Sequence, residues 1–246
     1  IQIKEYIRRV CLRSQEASRL ARTLTNTERI RILNSIIKNL RLNSNNIIKK
    51  NSIDIKLAQK NKLSNALVDR LLINHKRVLS MIDGLVKIRT IPDILFKKIN
   101  KSKQSSGIIV EQMRVPLGVI AMIYESRPNV TIDAAGLALK SSNSIILRGG
   151  SEAINSNLIL SKIIKDSLIE CNVSTDLVQI IKTTDRSAVS KLLMMDDYID
   201  VIIPRGGKGL IKKISKESKI PLIKHLDGNC HVYVDKEADF KTAIKC

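Results

Sequence analysis

Apolar residues in the first hundred positions recur at intervals of three and four, the spacing that places side chains on one face of a helix. This stripe consists of Leu20, Leu24, Ile30, Leu33, Ile36, Ile37 and Leu40. Thr25, followed three residues later by Glu28, predicts a capping box at the start of a helix. Residues 44–62 are polar and rich in Asn, so we predict exposed helix and loop there. Together these patterns predict a helical N-terminal part over 1–102.

The hydrophobic pattern changes near residue 101. A turn-like KSKQSSG precedes a stretch typical of extended chain, so we predict an extended arm over 103–115. Short apolar runs then alternate with amphipathic stretches. The runs predict strands over 119–124, 144–148, 177–181, 200–204, 221–226 and 230–235. The stretches between them predict helices over 131–141, 151–170, 186–195 and 207–218.

This alternation predicts the fold class, an α/β fold with a mostly parallel, Rossmann-like sheet. We place this core over 116–226 and expect helices on both faces of the sheet. Right-handed crossovers bring every turn from a strand to a helix to one edge of such a sheet. Open α/β sheets bind ligands at that edge, so the turns there are the candidate functional segments.

Two of these turns are basic and rich in glycine. The first reads LRGGSE and contains Arg148, and the second reads PRGGKG and contains Arg205. Glycine lets the backbone approach a ligand closely, and the following helix offers free N–H groups to a phosphate. Neither turn matches the GxGxxG or P-loop pattern. The sequence therefore leaves two interpretations open, a phosphate site or two ordinary tight turns with basic surface residues.

A third turn, over 124–131, lies at the same end of the predicted sheet. Asn129 or Thr131 could simply cap the next helix. Alternatively, the amide of Asn129 is a donor suited to stabilising an oxyanion.

The amino-acid composition argues against several classes of function. The chain has 246 residues, of which 43% are hydrophobic and 2% aromatic, so its core must be aliphatic. The net charge of +20 would suit nucleic acid, but two Phe and four Tyr offer few stacking platforms. Nucleic-acid binding is therefore the least favoured function. No apolar run is long enough to span a bilayer, and the charged N-terminus does not resemble a signal peptide.

Cysteine usage points to a reducing compartment. The four cysteines lie far apart, with no CxxC pair and no spacing that suggests a metal site. We interpret them as free thiols and expect a cytoplasmic protein.

Three segments are similar to one known family. Residues 115–153, 202–211 and 220–235, which include SRPNVTIDAAG, IIPRGGKGLI and IKHLDGN, resemble the gamma-glutamyl phosphate reductases of the aldehyde dehydrogenase superfamily. The resemblance is strong over 115–246 and looser before it. It implies NADPH-dependent reduction of gamma-glutamyl phosphate to glutamate-5-semialdehyde through a cysteine thioester, in proline synthesis. It also implies a homo-oligomer, whose oligomerisation hairpin the predicted arm resembles.

The resemblance assigns roles to individual residues. Arg148 occupies a position near the adenosine ribose of the cofactor, where it could also meet the 2′-phosphate of NADPH. Asn129 corresponds to the oxyanion donor. The other cofactor-binding positions that it implies, all expected at the same sheet edge, are Ser151, Glu152, Gly206, Gly207 and Gly209.

Two departures from the family pattern concern catalysis. His225 stands where hydrolytic aldehyde dehydrogenases keep a glutamate base, and its alternative interpretation is a strand-end residue without a chemical role. The family's nucleophile lies in an Arg-Pro-x-x-Cys-Asn context, which this sequence lacks, and neither Cys230 nor Cys246 replaces it. We therefore expect a chain truncated before that cysteine, with 227–246 beginning a catalytic domain. A stand-alone NADPH-binding or regulatory module is the alternative.

Overall fold

The computed structural model describes residues 2–224 and 231–244. Its first part is helical. The helices there are α1 (Ile3–Ala21), α2 (Asn26–Leu42), α3 (Ser44–Lys60), α4 (Asn65–Leu71) and α5 (His75–Thr90).

The capping box at the start of α2 is confirmed. The Thr25 backbone N–H donates to the Glu28 carboxylate at 2.8 Å, and the Glu28 N–H donates to the Thr25 hydroxyl at 3.3 Å. Within α2, most side chains of the predicted apolar stripe are buried. Leu20, which was assigned to the same stripe, lies on α1 instead and is 61% exposed. Residues 44–60 form one continuous helix, α3, rather than a mixture of helix and loop.

A two-stranded antiparallel hairpin follows, formed by β1 (Lys98–Lys103) and β2 (Ile109–Met113). The predicted arm began at residue 103, but the hairpin starts five positions earlier, at Lys98. Both strands are exposed along their whole length, so β1 shows no alternation of buried and exposed positions that a sequence pattern could reveal.

The central sheet has four parallel strands in the order β5-β4-β3-β6. Its strands are β3 (Val119–Tyr124), β4 (Ser144–Arg148), β5 (Val178–Ile180) and β6 (Val201–Arg205). The helices that alternate with them are α6 (Asn129–Lys140), α7 (Ile154–Glu170), α8 (Ser187–Leu192) and α9 (Lys208–Glu217). The predicted α/β fold with a parallel sheet is therefore confirmed. β4 and β6 flank β3 on opposite sides. The direction in which successive strands are added to the sheet therefore reverses at β3, although all four strands remain parallel.

Apolar side chains fill both faces of the sheet, in the alternation that a strand imposes. On β3, Ile120 and Tyr124 belong to one buried cluster, with residues of α2, α5, α6 and α7. Val119, Ala121 and Ile123 point the other way, into a second cluster with residues of α1, α8 and α9. The first helix of the chain therefore covers the opposite face of the sheet from α2 and α5.

Two predicted strands are wrong within the described residues. Of residues 221–224, only Leu222 pairs, through an isolated parallel bridge with Ile202, and residues 225–226 lie outside the described part of the chain. Residues 231–235 have no regular structure, and Val232 and Tyr233 are 66% and 86% exposed. A run of β-formers needs a neighbouring strand, and no strand among the described residues pairs with 231–235. A short helix, α10 (Phe240–Ala243), follows.

The predicted helix over 151–170 opens with a 3-10 turn, Ser151–Ala153, before α7 begins. Asp54 of α3 fixes this start. Its buried carboxylate accepts from the backbone N–H groups of Asn155 and Ser156, at 3.2 Å and 2.8 Å. The N-terminal helices thus help position the turn that follows β4.

Candidate functional site at the carboxyl edge of the sheet

Three turns meet at the carboxyl edge of the parallel sheet. They leave β3 after Tyr124, β4 after Arg148 and β6 after Arg205. The Glu125 N–H donates to the Arg205 carbonyl at 3.2 Å, so the first and third turns are adjacent. The candidate residues on these turns therefore share one edge, as open α/β sheets require for a ligand site.

Arg148 is the buried cation of this edge, with only 8% of its surface exposed. One guanidinium N–H contacts the Gly149 carbonyl, and another donates to the Thr184 carbonyl at 3.4 Å. Nε is buried and has no hydrogen-bond partner in the described part of the chain. Burial lowers the pKa of Arg148, and the nearby Glu152 carboxylate opposes that shift. Arg148 therefore presents a desolvated positive charge with a donor unused.

Glu152 ties two of the turns together. Its Oε1 accepts from the Ser126 N–H at 2.7 Å and from the Ser126 hydroxyl at 2.8 Å. Ser126 has a positive φ of 44°, a conformation that few residues other than glycine adopt. The carboxylate therefore holds the β3 turn in shape, while Ser151 beside it is exposed.

A buried polar network backs the turn after β4. The Tyr124 hydroxyl lies 2.7 Å from the Thr131 hydroxyl, which donates to the Asn157 side-chain oxygen at 2.9 Å. A Cβ at Gly149 would overlap the Asn157 amide and lie 3.1 Å from the Tyr124 ring. Only glycine fits this close approach of the β4 turn to β3.

The turn after β6 is exposed. Gly207 is the N-cap residue of α9, and its N–H donates to Oε2 of Glu125 at 3.0 Å. A Cβ at Gly206 would lie 2.6 Å from that same carboxylate oxygen. At Gly209 a Cβ would meet no atom within 4 Å. The start of α9 already receives one anionic oxygen, as the N-terminus of a helix favours.

Three cavities run along this edge. The first, of about 340 Å³, is lined by Arg148, Ser151 and Glu152, and the second, of about 380 Å³, by Gly206 and Gly207. Glu125 lines both of them. The third, of about 590 Å³, shares Arg70 and Arg127 with the second. Since neighbouring cavities share lining residues, the three lie in a row from Arg148 past the β6 turn, and this row is called the track below.

Asn129 lies at the far end of this track, in the third cavity. It is the first residue of α6, whose N-cap position is occupied by Pro128, so neither Asn129 nor Thr131 caps the helix. Its Nδ2 donates to Oδ2 of Asp133 at 3.1 Å. The structure therefore separates Asn129 from the cavity of Arg148 and places the β6 turn between them.

Several charged residues that line these cavities were not predicted from the sequence, among them Glu125, Asp133, Arg186 and Lys213. Glu125 follows directly after β3, so its position in the turn could have identified it. Asp133 lies one helical turn beyond Asn129, a spacing that also could have been noticed. Arg186 and Lys213 reach the first cavity from α8's N-cap position and from α9, which only the packing of those helices reveals.

His225, Cys230 and Cys246 lie outside the described residues. Within 2–224 and 231–244, no group of three or more His, Cys, Asp or Glu side chains could hold a metal ion. Across the same residues, the helices are too short or too polar to cross a membrane.

The doubly covered parallel sheet, with basic turns at its carboxyl edge, defines an open α/β protein of the doubly wound class, in which ligands bind at that edge. The family model for the aldehyde dehydrogenase family matches residues 3–246, so the chain belongs to that family. Members of this family use nicotinamide cofactors.

Two of the curated relatives of this chain are gamma-glutamyl phosphate reductases. The chain is 46% identical to the gamma-glutamyl phosphate reductase of Psychrobacter arcticus over 99% of its own length and 56% of the relative's. It is 44% identical to that of Petrotoga mobilis over its whole length and 59% of the relative's. The chain thus spans somewhat more than half the length of the relatives it matches.

Solved structures agree with this comparison. The gamma-glutamyl phosphate reductase of Thermotoga maritima superposes with a TM-score of 0.88 at 36% identity, covering 97% of this chain and 58% of that one. The enzyme of Saccharomyces cerevisiae gives a TM-score of 0.83 at 32% identity, with coverages of 96% and 60%.

Proposed function

We propose that this chain supplies the cofactor-binding part of a gamma-glutamyl phosphate reductase. The reaction is the NADPH-dependent reduction of gamma-glutamyl phosphate to glutamate-5-semialdehyde, with release of phosphate, in proline synthesis. The observation that carries this proposal is the 44–46% identity to such reductases over essentially the whole chain.

The first cavity fits the phosphate-bearing end of NADPH. Arg148, Arg186 and Lys213 outnumber the two carboxylates, Glu125 and Glu152, that line the same space. The unused Nε of Arg148 is a donor for a 2′-phosphate, and a buried guanidinium binds phosphate more strongly than an exposed one. Both oxygens of Glu152 lie close to the Gly150 turn, so we assign it, with Ser151, to shaping this end of the site.

The second cavity fits the pyrophosphate. Gly206 and Gly207 leave the backbone accessible at the start of α9, and Gly209 leaves the side of its first turn open. The N–H groups there favour an anionic oxygen. NADPH supplies the hydride when bound. Its nicotinamide end would extend toward the third cavity, where Asn129 can donate to an oxyanion of the substrate.

Neither described cysteine is a suitable nucleophile. Cys11 and Cys171 are free but buried, and burial raises the pKa of Cys11 to about 12. A thiol of that kind is un-ionised near neutral pH and cannot attack an acyl phosphate. We assign the nucleophile to neither, and we expect the 246-residue chain to bind NADPH without turnover.

The exposed hairpin supports a homo-oligomer. Ile99 on β1 and Ile109, Val110 and Met113 on β2 are between 46% and 53% exposed, an apolar surface that a second copy could cover. The free, buried thiols suit the reducing cytoplasm.

The assignment of Arg148 is tested by titrating the purified chain with NADPH and with NADH. Arg148→Ala should weaken NADPH binding by about tenfold or more, because a charge-assisted contact to phosphate is lost, and should affect NADH much less. The matched control is Arg19→Ala, an exposed arginine on α1 that lines none of the three cavities.

Equal losses for NADPH and NADH would remove the 2′-phosphate assignment. Failure of the native chain to bind either cofactor would contradict the cofactor-binding role itself.

A further inference from the structure

The third cavity is the largest of the track and is lined by side chains of both signs. It lies between α4 and α5 on one side and the start of α6 on the other, with a volume of about 590 Å³. The glycine turns do not reach it, so cofactor phosphates do not account for its charges. Its lining holds three carboxylates, and one of them, Asp133 on α6, faces the start of that helix.

Asp133 is partly buried and lacks a cation. Its Oδ2 accepts from the Asn129 amide at 3.1 Å, and its Oδ1 has no hydrogen-bond partner among the described residues. Burial raises the pKa of Asp133, since the charged form is left incompletely solvated. A Cβ at Gly84 would lie 3.3 Å from Oδ1, so glycine at that position of α5 keeps the approach to the carboxylate open.

One arginine of the lining, Arg77, is already engaged. Arg77 binds Asp69 at 3.0 Å and donates to backbone carbonyls of α4 and its C-cap. Lys87 on α5 and Arg127 before α6 also line the cavity, and neither side chain forms a hydrogen bond or ion pair within the described part of the chain. Arg70 lines the cavity too and is likewise unpaired among the described residues, as is the carboxylate of the exposed Asp83. Asp133, with one oxygen unused, therefore shares the cavity with three uncommitted cations and one further carboxylate.

We propose that this cavity binds the amino-acid end of the substrate, with Asp133 receiving an α-ammonium group and Lys87 and Arg127 receiving an α-carboxylate. The inference rests on the proposed function, because it takes Asn129 as the donor to the reacting acyl oxygen. Asn129 and Asp133 lie four positions apart on α6, about one helical turn, and Nδ2 of the first is 3.1 Å from Oδ2 of the second. A glutamyl group carries its α-nitrogen four bonds from the γ-carbonyl carbon, so its two ends can contact this pair of side chains together.

The hydrogen bond between Asn129 and Asp133 links the residue that binds the α-ammonium group to the residue that contacts the acyl oxygen. An amide nitrogen carries two N–H donors. One is held by Asp133, which fixes the plane of the Asn129 amide, and the second stays free for an acyl oxygen. Asp133 thus acts as a recognition and positioning residue.

The test compares three small molecules by saturation-transfer NMR on the 246-residue chain. L-Glutamate carries both recognised groups, glutarate lacks the α-ammonium and 4-aminobutanoate lacks the α-carboxylate. We expect L-glutamate to bind at least about tenfold more tightly than glutarate, which corresponds to one charge-assisted hydrogen bond. Asp133→Asn should remove this preference, and Asp166→Asn, an exposed carboxylate on α7, should not.

A second variant tests the other end of the ligand and does not alter the packed start of α6. Lys87→Gln should weaken L-glutamate and glutarate severalfold and spare 4-aminobutanoate, and Lys162→Gln is its exposed control.

The proposal is overturned if the native chain does not distinguish L-glutamate from glutarate, or if Asp133→Asn retains the preference. It is also overturned if a chain that binds NADPH gives no saturable L-glutamate signal. The cofactor function is judged separately, from the NADPH titration of the native chain. Circular dichroism and thermal melting of each variant show whether it is folded.

Discussion

The two basic glycine turns are almost alike in sequence and unlike in structure. The turn after β4 is packed: Arg148 is 8% exposed, and Gly149 lies against the Tyr124 ring. The turn after β6 lies at the surface, with Arg205 and the glycines from 206 to 209 exposed. The β4 turn is packed partly into the core, whereas the β6 turn is exposed at the surface.

A glutamate joins each of these turns to the β3 turn, and the two contacts differ in the same way. Glu152 of the β4 turn makes two short bonds to Ser126, and both partners are at least partly buried. Glu125 makes one bond of 3.0 Å to Gly207, and both partners are exposed. The first carboxylate stabilises the fold, and the second occupies a position that an anionic ligand could take.

The largest difference between the two turns is expected in the free energy of unfolding when one glycine of each turn is replaced by alanine. Gly149→Ala should lower the free energy of unfolding by about 2–3 kcal/mol, because Asn157 is locked in a buried network and cannot give way. Gly209→Ala, in the first turn of α9, should raise it by about 0.5–1 kcal/mol, because Ala restricts the unfolded chain and meets no atom within 4 Å.

Urea unfolding of both variants measures this pair. Equal destabilisation at the two positions would show that the turns are packed alike.

A smaller difference is expected when the two glutamates are neutralised. Glu152→Gln should lower the free energy of unfolding by about 1–2 kcal/mol, since a charge-assisted pair of hydrogen bonds to Ser126 is weakened. Glu125→Gln should change it by less than about 0.5 kcal/mol, as is usual for an exposed position.

Thermal melting at neutral pH compares the two, with Glu237→Gln as an exposed control near the far end of the chain. A larger loss from Glu125→Gln would reverse the assignment of the two glutamates.

The smallest effect concerns cofactor binding at the exposed turn. Glu125→Gln should raise NADPH affinity by about threefold to fivefold, because it removes a negative charge next to the Gly207 N–H. The repulsion between that carboxylate and a cofactor phosphate a few ångströms away amounts to about 1 kcal/mol in water. High salt should reduce the gain, since exposed charges are screened.

Fluorescence titration with NADPH at low and at high salt measures the change. A weaker affinity would mean that the Glu125 carboxylate contacts the cofactor directly.

The sequence identified most of the architecture because its strands are short and buried. Continuous apolar runs such as 119–124 and 144–148 are typical of strands covered on both faces, so they identified the four strands of the parallel sheet but not their order within it. The same reasoning failed for 231–235, whose apolar residues are exposed, and for β1, which has a polar pattern. A hydrophobic pattern reflects which side chains are buried, so it does not identify strands whose side chains are exposed.

The sequence also located the candidate site, because turns that follow parallel strands must share an edge. It did not separate the two glycine turns, whose residue types are nearly the same. Their difference depends on contacts between distant segments, Glu152 with Ser126 and Glu125 with Gly207, and on α1 covering one face of the sheet while α3 fixes the start of α7. Local preferences determine which elements form, but burial and pairing across the fold decide what each side chain can do.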